Sequence, residues 1–315
     1  MKRAFASLCA ALAVTGAVVT GCGHGPDSDA PGPATTAANR TGPRPLTWQQ
    51  ELRIGDAQQR LTRRCMNSHG FAYWEDRTLT LRESMPVRYV QDDVAWAREH
   101  GYGGRIEARQ DQVRLHNPIA AYRQSLSATR RAAFDKALDG GSDGSDVQVL
   151  SAKLPGGDRE VRTRLGGCTK QAQEALYGDP ADWFRASKTA TGLPALYGQQ
   201  LLRDRQLTNA VSAWSECVKR AGLSYPDPRA ARDAVRENTA RLGTAGADKA
   251  FATERRTAVA DATCARATSL KTVAAARETY YVDRLPGRYG EALDTYRRLE
   301  RQAYDRAARI VPQRA

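Results

Sequence analysis

Two distant stretches of the chain carry the same punctuation. Cys65-Met66 is followed by Gly70-Phe71-Ala72-Tyr73, and Cys217-Val218 is followed at identical offsets by Gly222-Leu223-Ser224-Tyr225. Each copy reads as a helix with a cysteine in its last turns and a glycine that can take the left-handed conformation and stop it. Two alternate apolar residues then fold back over the end. A chain holding two such units is expected to consist of two related helical halves, and the repeat limits the possible folds more than composition does.

The amino terminus predicts where those halves reside. Lys2 and Arg3 precede an apolar run from Ala4 to Val19, which ends in Val19-Thr20-Gly21-Cys22. This resembles a bacterial lipoprotein signal, in which an aliphatic residue and two small residues precede a cysteine that receives a diacylglyceryl group. The resemblance implies a signal peptide over 1–21, lipidation of Cys22, and a chain held by its lipid at the extracytoplasmic face of the cell membrane. Two acyl chains give a stable anchor where one does not. Residues 22–45 read as a tether, since Gly23 to Pro45 holds five prolines and four glycines with no packable apolar period. Beyond the signal no apolar run approaches the roughly 20 residues that cross a bilayer.

Removing Cys9 with the signal and assigning Cys22 to lipid leaves Cys65, Cys168, Cys217 and Cys264. An even count in an oxidising compartment reads as disulfides. Four cysteines allow three connectivities, and the repeat selects one: each unit's cysteine pairs with the cysteine of a later helix in its own half. Cys65 is therefore expected with Cys168, and Cys217 with Cys264. The competing metal site would start from Cys65 and His69, one helical turn apart, but no histidine lies near Cys168 or Cys264 in sequence. No metal and no cofactor is expected.

Thr47 and Gln50 form a capping box before Ile54, Ala57, Leu61 and Cys65 on one helix face. A short helix is predicted over Asp92–His100, stopped by Gly101, and Asn117-Pro118 opens a segment that Ser127 restarts and Gly140 closes. Val147 and Val149, a Pro155-Gly156-Gly157-Asp158 turn, then Val161, Thr163 and Leu165 predict one β-hairpin. From Gly167 onward the pattern is helical, with starts at Asp179-Pro180 and Asp227-Pro228 and a stripe of Leu207, Ala210, Trp214, Cys217 and Ala221. The terminal stripe of Tyr289, Leu293, Tyr296, Ala303, Ala307 and Ile310 predicts a helix packed on its own core. The expected fold is mainly α, a disulfide-stapled helical bundle with a small β-hairpin and an internal duplication, divided into 46–178 and 179–315.

The pattern Trp214-x-x-Cys217-Val218-x-x-x-Gly222-Leu223-x-Tyr225, then Ala258-x-x-Asp261-x-x-Cys264, resembles the uncharacterised secreted lipoproteins of actinomycetes. Their usual motif has methionine after the first cysteine, as at Met66; Val218 departs from it. The resemblance implies an envelope location and a disulfide framework, and brings no catalytic residue with it.

No catalytic motif assembles in the sequence. Gly140-Gly141-Ser142-Asp143-Gly144 matches a nucleophile elbow in letters only, since a helix precedes it and none follows at once. Asp139, Asp143 and Asp146 offer oxygens at a spacing foreign to a calcium loop. His69 and His100 precede glycines and are expected to cap helix ends. There is no HExxH pair, phosphate loop or dinucleotide fingerprint. The formal charge is +13, and 40 of the 48 basic residues are arginine, with no segment concentrating them. Tyr73 and Tyr225 are expected to pack over the disulfides, and Tyr280 and Tyr281 to point to different helix faces. Trp74 joins these four as the aromatics able to line a ligand cleft. The expected role is a non-catalytic binding or accessory module, whose partner is an envelope protein complex or an anionic cell-wall polymer rather than nucleic acid. The alternative is an envelope hydrolase acting on a cell-wall polymer through a carboxylate pair that the sequence does not single out.

Overall fold

Thr47 opens the first long helix as its pattern predicts. Its hydroxyl accepts from Gln50 N at 3.3 Å, and its own amide donates to Gln50 Oε1 at 2.9 Å. The computed structural model describes residues 43–142 and 147–314. The segment read as a signal peptide, Cys22 and all but the last three residues of the stretch read as a tether lie outside them.

The first half comprises α1 (Trp48–Ser68), α2 (Leu81–Ser84), α3 (Val94–His100), α4 (Gly104–Leu115), α5 (Pro118–Ser125) and α6 (Ala128–Asp139), then strands β1 (Gln148–Lys153) and β2 (Glu160–Leu165) and α7 (Gly167–Tyr177). The second comprises α8 (Pro180–Gly192), α9 (Pro194–Leu202), α10 (Arg205–Arg220), α11 (Pro228–Leu242), α12 (Ala247–Ala267), α13 (Leu270–Val282) and α14 (Gly287–Ala307). The protein is mainly α with one antiparallel hairpin, paired from Gln148 with Leu165 to Lys153 with Glu160. The predicted starts hold: Asn117, Ser127, Asp179 and Asp227 each cap the helix that follows. Helix α4 had no sequence signal, because it buries a single apolar side chain, Ile106, and so lacks an apolar period.

The repeat is a repeat of geometry. At the end of α1, His69 N donates to Cys65 O at 3.2 Å and Phe71 N to Met66 O at 3.0 Å, around Gly70 at φ +75°. At the end of α10, Ala221 N donates to Cys217 O at 3.2 Å and Leu223 N to Val218 O at 3.1 Å, around Gly222 at φ +80°. Met66 and Val218 are both fully buried, which explains why the position after each cysteine must be apolar but need not be methionine. Cys65 is bonded to Cys168, joining α1 to α7, and Cys217 to Cys264, joining α10 to α12, with Cα separations of 5.5 and 5.6 Å.

Residues 41–315 form one unit, and the two sequence halves exchange elements within it. Helix α14 packs on α1, α7 and α8, placing Ala303, Ala307 and Val311 against Ile54, Ala57 and Leu176. In the other direction, α3 packs on α12, where Ala97 meets Ala258 and Ala262. Val90, from the first half, joins the core of Trp214, Val218 and Leu270. The sequence boundary near residue 179 therefore separates stretches of chain that share their cores.

Candidate functional site

The helix start at Arg205 and the helix end at Tyr281 meet over one carboxylate. Asp204 caps α10, its Oδ1 accepting from Gln206 N at 3.0 Å and Leu207 N at 3.1 Å. Its Oδ2 accepts from Arg277 Nε at 2.9 Å and Tyr281 Oη at 3.1 Å, both on α13. Burial works to raise the Asp204 carboxyl, but the hydrogen bonds from Arg277, the Leu207 amide and Tyr281 outweigh it and hold the group below the ordinary carboxylate range. Asp204 is thus a fixed anion that positions its neighbours.

Around it opens a cleft of about 650 Å³, within the usual range for small-ligand sites. Four arginines, Arg203, Arg205, Arg277 and Arg284, line it together with this carboxylate, which of the four Arg277 alone contacts. Arg203 and Arg205 are exposed and have no ion-pair partner among the described residues. The Arg277 and Arg284 guanidinium carbons lie 4.0 and 3.4 Å from the Tyr280 ring centroid. Tyr197 closes the far side, its hydroxyl donating to Glu278 Oε1 at 2.5 Å. Such a lining can hold a multiply charged anion through guanidinium forks and offer a ring face to a sugar or other flat group.

Two features of this cleft go beyond what the sequence singled out. The rings of Tyr280 and Tyr281, the first exposed and the second half-buried, meet edge-on at 5.2 Å, and both residues line the cleft. Four of the arginines dispersed along the sequence come together here, because residues 203–205 and 277–284 become neighbours. Asp204 itself was missed, although an aspartate before a helical stretch is a capping signal.

The other candidates fall elsewhere. Tyr73 and Tyr225 pack, half-buried, on the clusters around their disulfides. Trp74 is exposed and meets Tyr122 edge-on at 5.7 Å. The imidazole that reaches a helix-end carbonyl is that of His116, with Nδ1 2.9 Å from Gln112 O; His100 instead packs on Trp96 at 5.1 Å. His69, against the sequence expectation, does come close to Cys168, its ring lying within 4.8 Å of both sulfurs of the first bridge. Those sulfurs are bonded to each other. In the glycine loop, Asp139 Oδ1 accepts from Gly141 N at 3.1 Å, while Asp143 and Asp146 lie outside the described residues.

Trp214 and Asp261, two of the motif residues, form a buried pair. Trp214 Nε1 donates to Asp261 Oδ1 at 2.9 Å and Tyr102 Oη to Oδ2 at 2.9 Å. Burial pushes the Asp261 carboxyl up to about 6, against the pull of both hydrogen bonds and of Arg232. This contact ties α10 to α12 beside the second disulfide, and brings in the loop after α3. Among the described residues no helix is long and apolar enough to cross a membrane. Comparison with family models, with curated proteins and with solved structures finds no match.

Proposed function

We propose that this chain is a lipid-anchored protein of the outer face of the cytoplasmic membrane, of the kind represented by the secreted actinomycete lipoproteins, and that it binds an anionic cell-wall polymer without catalysis. The lipid on Cys22 supplies the anchor and residues 22–45 the reach. The observation that carries the binding role is the cleft whose lining holds Arg203, Arg205, Arg277 and Arg284 with a single carboxylate and the Tyr280 ring face. Arginine forks suit phosphodiester or carboxylate groups, and an aromatic face suits the sugars that alternate with them. The test is co-sedimentation of the Cys22→Ala protein, which has no acyl chain of its own, with purified cell wall and with anionic vesicles at low and high salt. Wall binding that weakens with salt is expected; binding to neither at either salt would turn attention to a protein partner.

A hydrolytic second reading has one observation in its favour. Burial pushes the Glu300 carboxyl up to about 7, opposed by its hydrogen bond from Tyr296 and reinforced by the charge of Glu51. Partial burial raises Glu51 as well, against the pull of Arg88. Nearby, Tyr177, Trp183 and Tyr296 stack with centroids 3.9 and 5.4 Å apart. Release of soluble fragments from purified wall by the wild type, but not by Glu300→Gln, would establish this reading over the binding one.

A further inference from the structure

We propose that a second cleft, walled by α4, α11 and α12, binds a small zwitterion, its amino group held by Glu254 and its carboxylate by Arg232. The cleft encloses about 590 Å³ and is lined by apolar side chains such as Val235 and Ala250. Glu254 lines it although only 5% exposed. Its Oε1 accepts from Tyr102 N at 2.8 Å and Gly104 N at 2.9 Å. No hydrogen bond or ion pair among the described residues reaches its Oε2. A Cβ on Gly104 would stand 2.8 Å from that oxygen, so the glycine keeps one side of the carboxylate open.

Arg232, on α11, lines the same cleft. Its Nη1 is buried with no hydrogen-bond partner, and its charge acts on the Asp261 carboxyl without forming an ion pair among the described residues. The other arginines of the lining are committed: Arg105 to Asp248 at 2.6 Å and to the Phe251 ring, Arg236 to Asp233 at 3.4 Å. Glu254 and Arg232 thus carry opposite charges on one apolar cleft without bridging each other. A simple anion would leave Glu254 Oε2 without a partner, and a simple cation would leave Arg232 Nη1 without one, even though Glu254 Oε1 accepts two backbone amides and the charge of Arg232 acts on Asp261. A ligand with both charges answers both. The volume of the cleft and its aliphatic lining suit an amino acid with an apolar side chain, or a short peptide of such residues.

The test is calorimetric titration of the full chain with L-leucine and with its two halves, isocaproate, which lacks the amine, and isoamylamine, which lacks the carboxylate. Leucine is expected to bind at least about tenfold more tightly than either half. Arg232→Gln should reduce leucine to the level of isoamylamine, and Glu254→Gln to that of isocaproate. Because Glu254 also fastens the loop of Tyr102 and Gly104, Thr239→Trp provides a second route: it fills the cleft from its rim, leaves Glu254 untouched and should abolish binding of all three. Equal binding of the three compounds, leucine affinity unchanged in Arg232→Gln or Thr239→Trp, or no binding of leucine at about 1 mM would overturn the proposal.

Discussion

Arg277 places Nε 2.9 Å and Nη2 2.8 Å from a single oxygen of Asp204, across a sequence separation of 73 residues. Both side chains are largely buried, and the other Asp204 oxygen caps α10. One carboxylate thus fixes both walls of the basic cleft. Asp204→Ala removes a helix cap and leaves Arg277 unpaired, so a loss of about 2–4 kcal/mol is expected in urea unfolding. Asp204→Asn keeps an acceptor for the cap and should lose less. Equal losses would mean that the cap contributes nothing.

The buried carboxyls set the pH profile of stability. Asp261 rises from 3.8 to about 6 and Glu300 from 4.5 to about 7, both mainly by burial. A carboxyl raised in the folded state binds more protons there than in the unfolded chain, so it favours folding at low pH and that contribution disappears as pH rises through the folded value. Between about pH 4 and pH 7 these two groups should withdraw a few kcal/mol. Glu83, held at about 2 by its hydrogen bond from Arg109, acts the other way, losing its contribution only as pH falls below 4.5. Asp261→Asn and Glu300→Gln should each flatten the urea midpoint between pH 4 and 7; a slope unchanged in both would contradict the burial argument.

Replacing either cysteine pair with serine should cost about 4–5 kcal/mol in the chain-entropy description, slightly more for the pair separated by 103 residues than for the pair separated by 47. Peptide mapping without reduction should yield Cys65 with Cys168 and Cys217 with Cys264. A peptide joining Cys65 to Cys217 would refute the pairing.

Two glycines make a contrasting pair. Gly101 sits at φ +65° with space for a Cβ blocked by Glu254 Cγ at 2.8 Å, whereas Gly55 lies within α1 with nothing within 4 Å. Gly101→Ala should destabilise by about 1–3 kcal/mol, and Gly55→Ala should stabilise by about 0.5–1 kcal/mol. Thermal unfolding of the two variants measures both, and a Gly101→Ala protein as stable as the wild type would count against the strained loop.

Local signals were legible in the sequence wherever chemistry and structure are neighbours along the chain. Thr47, Asn117, Asp179 and Asp227 announced helix starts because a capping side chain acts within three residues. The cysteine pairing was legible because two copies of one local unit restricted a long-range choice. The exchange of α14 and α3 between halves left no such trace: Ala97, Ala258, Ala262 and Ala303 are small residues that read as helix formers, and nothing in their order names the partner helix. The basic cleft was hidden for the same reason. Its arginines come from stretches 203–205 and 277–284, and only the fold brings the two together beside Asp204.

The most direct test of the proposed role is binding of purified cell wall by the Cys22→Ala protein and by the same protein carrying Arg203→Gln, Arg205→Gln and Arg284→Gln, measured at two salt concentrations. These three arginines lack carboxylate partners among the described residues, so their removal should leave the fold stable. The expected result is loss of about 2–4 kcal/mol of wall affinity at low salt, together with most of its salt dependence. Wall affinity and salt dependence unchanged in the triple variant would show that the cleft is not the binding site.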